Sequence, residues 1–294
     1  MSVFSSFVDL ITQMKKRQLW LILPLLLVLL FINLPVAWLV ISSISTRAEL
    51  LSVPIHWIPQ NPTLQNYLNI FAPGKGTSEV ARTFTITLRN SFIIAMSVTA
   101  ICLLVGSLAA YALVRIRFRF HEVLLIGIMG TRMIPEVSLV IPLYILASRF
   151  RLLNTPYVLI GTYLCFALPF AIWLMAAFFE TIPLEIEDAA LIDGCSRTRI
   201  LFQILIPISA PGLVSTALFV FLLAWDEFFF ALIFTSTVAA KTVPVAIAEF
   251  TGRYVVDVTS MMTGGVLAAI PPVLLALLFQ RYIVSGLTAG AIKG

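Results

Sequence analysis

The side chains of this sequence with chemical potential lie mostly inside apolar runs. Trp225, Asp226 and Glu227 are consecutive, and a ring beside two carboxylates suits a sugar, the ring stacking on its face and the acids accepting from its hydroxyls. Arg132 and Glu136 stand at i and i+4, so on an unbroken helix they share a face and can pair, provided Pro135 does not interrupt the helix between them. Such charges line or gate a passage, or form a buried structural pair. Catalysis is a poor reading of the carboxylates. His56 and His121 are the only histidines, and the expected topology puts them in opposite loops. Cys102, Cys165 and Cys195 lack metal-ligand spacing and read as small apolar residues. The segment Pro73-Gly74-Lys75-Gly76-Thr77 lacks the spacing of a phosphate loop, so no nucleotide site, metal or cofactor is expected.

The elements that must carry these groups follow from composition. Apolar residues make up 60% of the chain and charged ones 11%, with a mean hydropathy of +1.04, which is outside the range of soluble domains. Runs long enough to cross roughly 30 Å of hydrocarbon fall at 19–44, 91–114, 155–179 and 258–280. Two more, 123–148 and 208–236, contain the charges just described. The expected fold is therefore all-α, a polytopic membrane bundle of six transmembrane helices. It divides into an N-terminal segment 1–18, a transmembrane domain 19–285 with an outer loop 45–90, and a tail 286–294. The first run is too long for a cleaved signal and reads as an anchor. Basic residues beside span ends (Lys15, Lys16 and Arg17; Arg115, Arg117 and Arg119; Arg197 and Arg199; Arg281 and Lys293) place both termini in the cytoplasm. The net charge of +5 fits anionic lipid headgroups, and no basic stripe interleaved with aromatics suggests nucleic acid.

The stretch 184–207, LEIEDAALIDGCSRTRILFQILIP, is the polar exception between the fourth and fifth spans, inside a loop 180–207. Pro183 suits a first helical turn, and Glu185, Glu187 and Asp188 complement the positive end of the dipole. A helix is expected over 183–193, then a left-handed stop at Gly194, then a second helix capped by Ser196 and ending before Pro207. Ala189, Ala190 and Gly194 let a partner approach the backbone closely, whereas the plainer alternative is a helix pair lying on the lipid surface.

Here the chain resembles a family. Asp188-Ala189-Ala190, Gly194 and Ile204-Leu205-Ile206-Pro207 are similar to the EAA loop of permease subunits of bacterial ATP-binding-cassette importers, with Asp188 in place of the usual Glu and Ile206 in place of Leu. Asn61-Pro62-Thr63-Leu64-Gln65-Asn66-Tyr67, Met133-Ile134-Pro135, Ile141-Pro142-Leu143-Tyr144, Ala224-Trp225-Asp226-Glu227-Phe228, Gln280-Arg281-Tyr282 and the ending 286–294 resemble its carbohydrate-uptake branch, the MalG-like subunits. That branch commonly has Asn at the position of Asp226. The resemblance implies the type I ABC importer permease fold, placed in the inner membrane, and a subunit that hydrolyses no ATP itself. It implies a coupling helix in which Glu187, Asp188, Ala189, Ala190 and Gly194, followed by Ile204 and Pro207, dock on a cytoplasmic ATPase. It implies as partners a second permease subunit, two ATPases and an extracytoplasmic solute-binding protein. Arg132, Glu136, Trp225, Asp226 and Glu227 remain the candidate translocation residues. The rival reading is a secondary transporter coupled to ions or protons through Glu136, Asp226 and Glu227, which leaves the pattern over 188–207 unexplained.

Overall fold

A computed structural model describes residues 16–54, 56–116, 118–251 and 256–291. Lys15, Arg117 and Lys293, used above for orientation, lie outside the described residues, as does most of the segment 1–18. Among the described residues the elements are helices, with a single isolated bridge between Thr251 and Val256. Four helices are long and apolar enough to cross a membrane, and two bent pairs raise the number to six.

The first span is α1 (Lys16–Ser43). Two short helices follow, α2 (Arg47–Leu50) and α3 (Gln65–Phe71). The second span, α4 (Glu79–Arg115), begins well ahead of the expected residue 91, which shortens the outer loop. Ser78 starts it by accepting from the Ala81 N–H, and Arg82 and Arg89 ride on its polar first turns.

The third span is broken: α5 (His121–Gly130) and a 3₁₀ turn (Thr131–Met133) meet α6 (Glu136–Arg149) at 90°. The fourth, α7 (Pro156–Glu180), is continuous. Then come the loop helices α8 (Leu184–Ile192) and α9 (Arg197–Ile208). Helix α9 meets α10 (Ala210–Trp225) at 82°, and α11 (Phe229–Phe234) follows a second interruption of the fifth span. A short α12 (Val243–Glu249) leads to α13 (Val258–Ala291), which runs on through most of the expected tail.

The centre of the bundle is the α4–α7 pair, with α10 against both. Small residues make this approach possible: Gly106 on α4 meets Ala171 on α7, where a Cβ on Gly106 would lie 3.4 Å from that of Ala171, and Ala95, Ala110 and Ala167 are buried on the same two helices. In hydrocarbon, where apolar burial alone does not drive association, such close backbone packing does. A second cluster joins the loop to the bundle end, with Ala110, Tyr111, Met175 and Phe179 packed against Ala190, Ile200, Leu201 and Leu205.

Candidate functional site: the interhelical loop and the broken spans

Helix α8 starts behind Pro183 with Glu185 and Glu187 in its first turn, and it ends in a Schellman arrangement. The Cys195 N–H donates to the Ala190 carbonyl and the Gly194 N–H to that of Leu191, both at 3.0 Å. Gly194 adopts φ +81°, the left-handed conformation expected there. Ser196 then accepts from the Arg199 N–H and opens α9. Helix α9 passes beyond Pro207 to Ile208, with a π-helical stretch at Leu201–Leu205. Pro207 has no N–H for the Gln203 carbonyl, and the helix widens just ahead of it. The bend comes at Ser209, after the proline.

The loop divides the residues expected on its docking face. Asp188, Ala189 and Gly194 are exposed, as are Leu191 and Ile192, the latter at 87%. Glu187 and Ala190 are turned inward, so they do not belong to the open surface. Ala190 packs with Tyr111 and Met175. Glu187 lies 2.6 Å from the Arg115 guanidinium and accepts from the Tyr111 hydroxyl at 3.3 Å. Ile204 is half-buried and Pro207 exposed. Sequence reasoning missed the inward role of Arg115, which it used only as a topological marker. No local pattern of α8 signalled it, because Ile186 and Ile192 are exposed while an acid and an alanine face the bundle.

The broken spans carry the other candidates. Pro135 caps α6 and ends the preceding turn, so Arg132 and Glu136 do not share a helix face, and among the described residues no ion pair joins them. Arg132 lies instead over the Phe170 ring, 5.1 Å from its centroid. The Trp225 ring is mostly committed to packing, with only an edge on the cavity that Asp226 lines. It is 3% exposed, is stacked on Phe221, and donates its Nε1–H to the Ala268 carbonyl at 3.2 Å. Glu227 caps α11 by accepting from the N–H groups of Phe230 at 2.7 Å and Ala231 at 3.2 Å. Glu136 is near enough to act on it electrostatically. Asp226 alone of the three is exposed, and with Trp225, Phe228, Pro244 and Pro272 it lines a cavity of about 570 Å³.

Among the described residues no group of acidic, histidine or cysteine side chains could hold a metal. Residues 102–289, which include the loop and the broken fifth span, match the family described as binding-protein-dependent transport system inner membrane components. The chain belongs to this family. The permease is 39% identical over 279 residues to the trehalose/maltose transport system permease protein MalG of Thermococcus litoralis, covering 95% of this chain and 98% of that one. It is 37% identical to the sulfoquinovosyl glycerol transport system permease protein SmoH of Agrobacterium fabrum, covering 88% of each. A chain in the crystal structure of a bacterial ABC transporter involved in the import of the acidic polysaccharide alginate shares its fold. The TM-score is 0.76 at 20% identity, over 92% of this chain and 98% of that one. The protein is thus a multi-pass inner-membrane permease component, and none of these matches favours the ion-coupled alternative.

Proposed function

We propose that this permease is one half of the translocation unit of an ATP-driven importer for a sugar, oligosaccharide or related glycoside, and that α8 is its coupling helix. The observation that carries the coupling role is the exposed apolar side of α8 at one end of the bundle, with Leu191 and Ile192 beside Asp188, Ala189 and Gly194. A helix fastened from behind by a buried ion pair and apolar in front has the form of a protein contact. In this reading the α8–α9 end and both termini face the cytoplasm, the α8 surface meets one of two ATPase subunits, and a solute-binding protein delivers substrate at the opposite end. A second permease subunit completes the passage, to which Asp226 contributes an acceptor for sugar hydroxyls. The substrate class rests on the relatives, whose names give trehalose, maltose and sulfoquinovosyl glycerol.

The test is to isolate the chain from native membrane in detergent and identify what stays with it. An ATPase, a second permease and a binding protein should co-purify, and the reconstituted assembly should take up trehalose or another glycoside with ATP. Ile192→Asp should release the ATPase while membrane insertion persists. Retention of the ATPase at full ratio in that variant would sink the docking assignment, and transport by the unaltered chain alone would sink the importer reading.

A further inference from the structure

Arg115 occupies a position where three helix ends meet. It is the last residue of α4. Its Nη2 donates to the carbonyls of Phe179 and Ile182, both at 2.7 Å, at and just beyond the C-terminal end of α7; the Phe179 carbonyl also accepts from the Ile182 N–H. Its Nε lies 2.6 Å from Glu187 on α8, and the two side chains are 5% and 7% exposed. Tyr111, one turn earlier on α4, adds the hydroxyl bond to Glu187 and is itself approached by Arg197 of α9. One guanidinium therefore ties α8 to α4 and α7, the most closely packed pair of the bundle.

The chemistry suits a rigid joint. The planar guanidinium fork fixes several acceptors at set angles, which a lysine ammonium on a flexible stem does not. Both charges are removed from water, so separating them strands a buried ion. Apolar contacts alone would let α8 slide, whereas a buried ion pair, with the Tyr111 bond to Glu187 and the Arg115 bonds to two carbonyls around it, resists sliding. The exposed face of α8 is left free, because the charges that hold it all lie on its inner side.

We propose that Arg115 is a positioning residue that carries displacement of α8 into α4 and α7, so that the Arg115–Glu187 pair transmits the motion of the ATPase to the membrane helices. The proposal rests on the docking of an ATPase at α8, and the experiment separates the two. In the assembled importer, with Cys102, Cys165 and Cys195 replaced, a bimane label at Tyr157→Cys on the far end of α7 reports helix movement when ADP is trapped with vanadate after ATP hydrolysis. If the unaltered pair gives no co-purifying ATPase, the docking reading fails and this proposal falls with it, whereas a bound ATPase with an altered label response tests the pair alone.

With the ATPase bound, Glu187→Gln should keep ATP hydrolysis while the label response shrinks by about tenfold, within the range that coupling mutations reach. Arg115→Lys should give an intermediate response, and the reversed pair Arg115→Glu with Glu187→Arg should recover part of it. An unchanged label response in Glu187→Gln overturns the proposal. So does loss of hydrolysis in step with the response, which would assign the pair to docking instead. Should Glu187→Gln fail to assemble, Arg115→Lys carries the test, with a reduced response expected and an unchanged one overturning it.

Discussion

Neighbouring residues in the fifth span have opposite assignments, and substitution separates them. Trp225 is held by the Ala268 carbonyl and the Phe221 ring, so Trp225→Phe should cost about 1 kcal/mol of stability, read as a lower melting temperature, with the KM for uptake changed less than by Asp226→Asn. Asp226→Asn should do the reverse, altering the substrate dependence of uptake while leaving melting alone, because the carboxylate faces a cavity. Unchanged substrate dependence would reduce Asp226 to a surface residue of that cavity. At Gly194 a Cβ would meet nothing within 4 Å, so the penalty of Gly194→Ala is backbone strain of about 1–2 kcal/mol. Asn at that position should be tolerated better, and hydrogen exchange of the Cys195 amide would register the difference. Glu49 governs the outer segment, where its carboxylate accepts from the N–H groups of Asn61, Gln60 and Thr46. These bonds, that of Asn61 first, hold it below the ordinary 4.5 against an opposing effect of burial. A lowered folded value stabilises the segment above the ordinary carboxylate range and loses that contribution as pH falls through it. Proteolysis between α2 and α3 should therefore quicken only in acid below about 4.5, and Glu49→Gln should abolish the pH dependence.

At the level of elements, close contacts decide which substitutions the bundle accepts. A Cβ on Gly212 of α10 would fall 2.3 Å from Cγ of Phe178 on α7, at the root of the ring, where rotation gives little relief. Gly212→Ala should cost about 1–3 kcal/mol by overpacking, whereas Gly127→Ala, with nothing within 4 Å, should be neutral or slightly stabilising. Equal effects on the melting of the two purified variants would contradict the packing. Sequence pattern read the spans and the helix–turn–helix of the loop well, because apolar length and a glycine stop are local properties. Orientation within the loop was not legible. Whether Glu187 or Asp188 faces inward depends on where Arg115 arrives, a contact made across a long stretch of chain. The proline at 135 was visible, but its effect on Arg132 and Glu136 required knowing that the turn before it becomes 3₁₀ and the span bends by 90°. The ring of Trp225 looked free because sequence alone does not show Ala268 beside it.

For the whole molecule the question is which energy source the intramembrane charges serve. An ion-coupled carrier needs carboxylates that gain and lose a cation while the passage alternates. Here Glu227 is bound to two backbone N–H groups, Arg132 rests on Phe170, and no ion pair among the described residues joins Arg132 to Glu136. Those commitments suit fixed structure better than a titrating relay. The span α1 meanwhile buries only 6% of its most apolar window within the chain, leaving most of its surface to lipid or a second subunit. That arrangement fits the proposed function, in which the chain is moved from outside, through α8, better than it fits a self-contained carrier. In membrane vesicles with internal ATP held constant, a protonophore should leave uptake of the transported glycoside unchanged, and vanadate should stop it. Uptake by the purified chain alone, driven by an imposed proton gradient and abolished in Asp226→Asn, would reverse this assignment and return the open carboxylate of the fifth span to a coupling role.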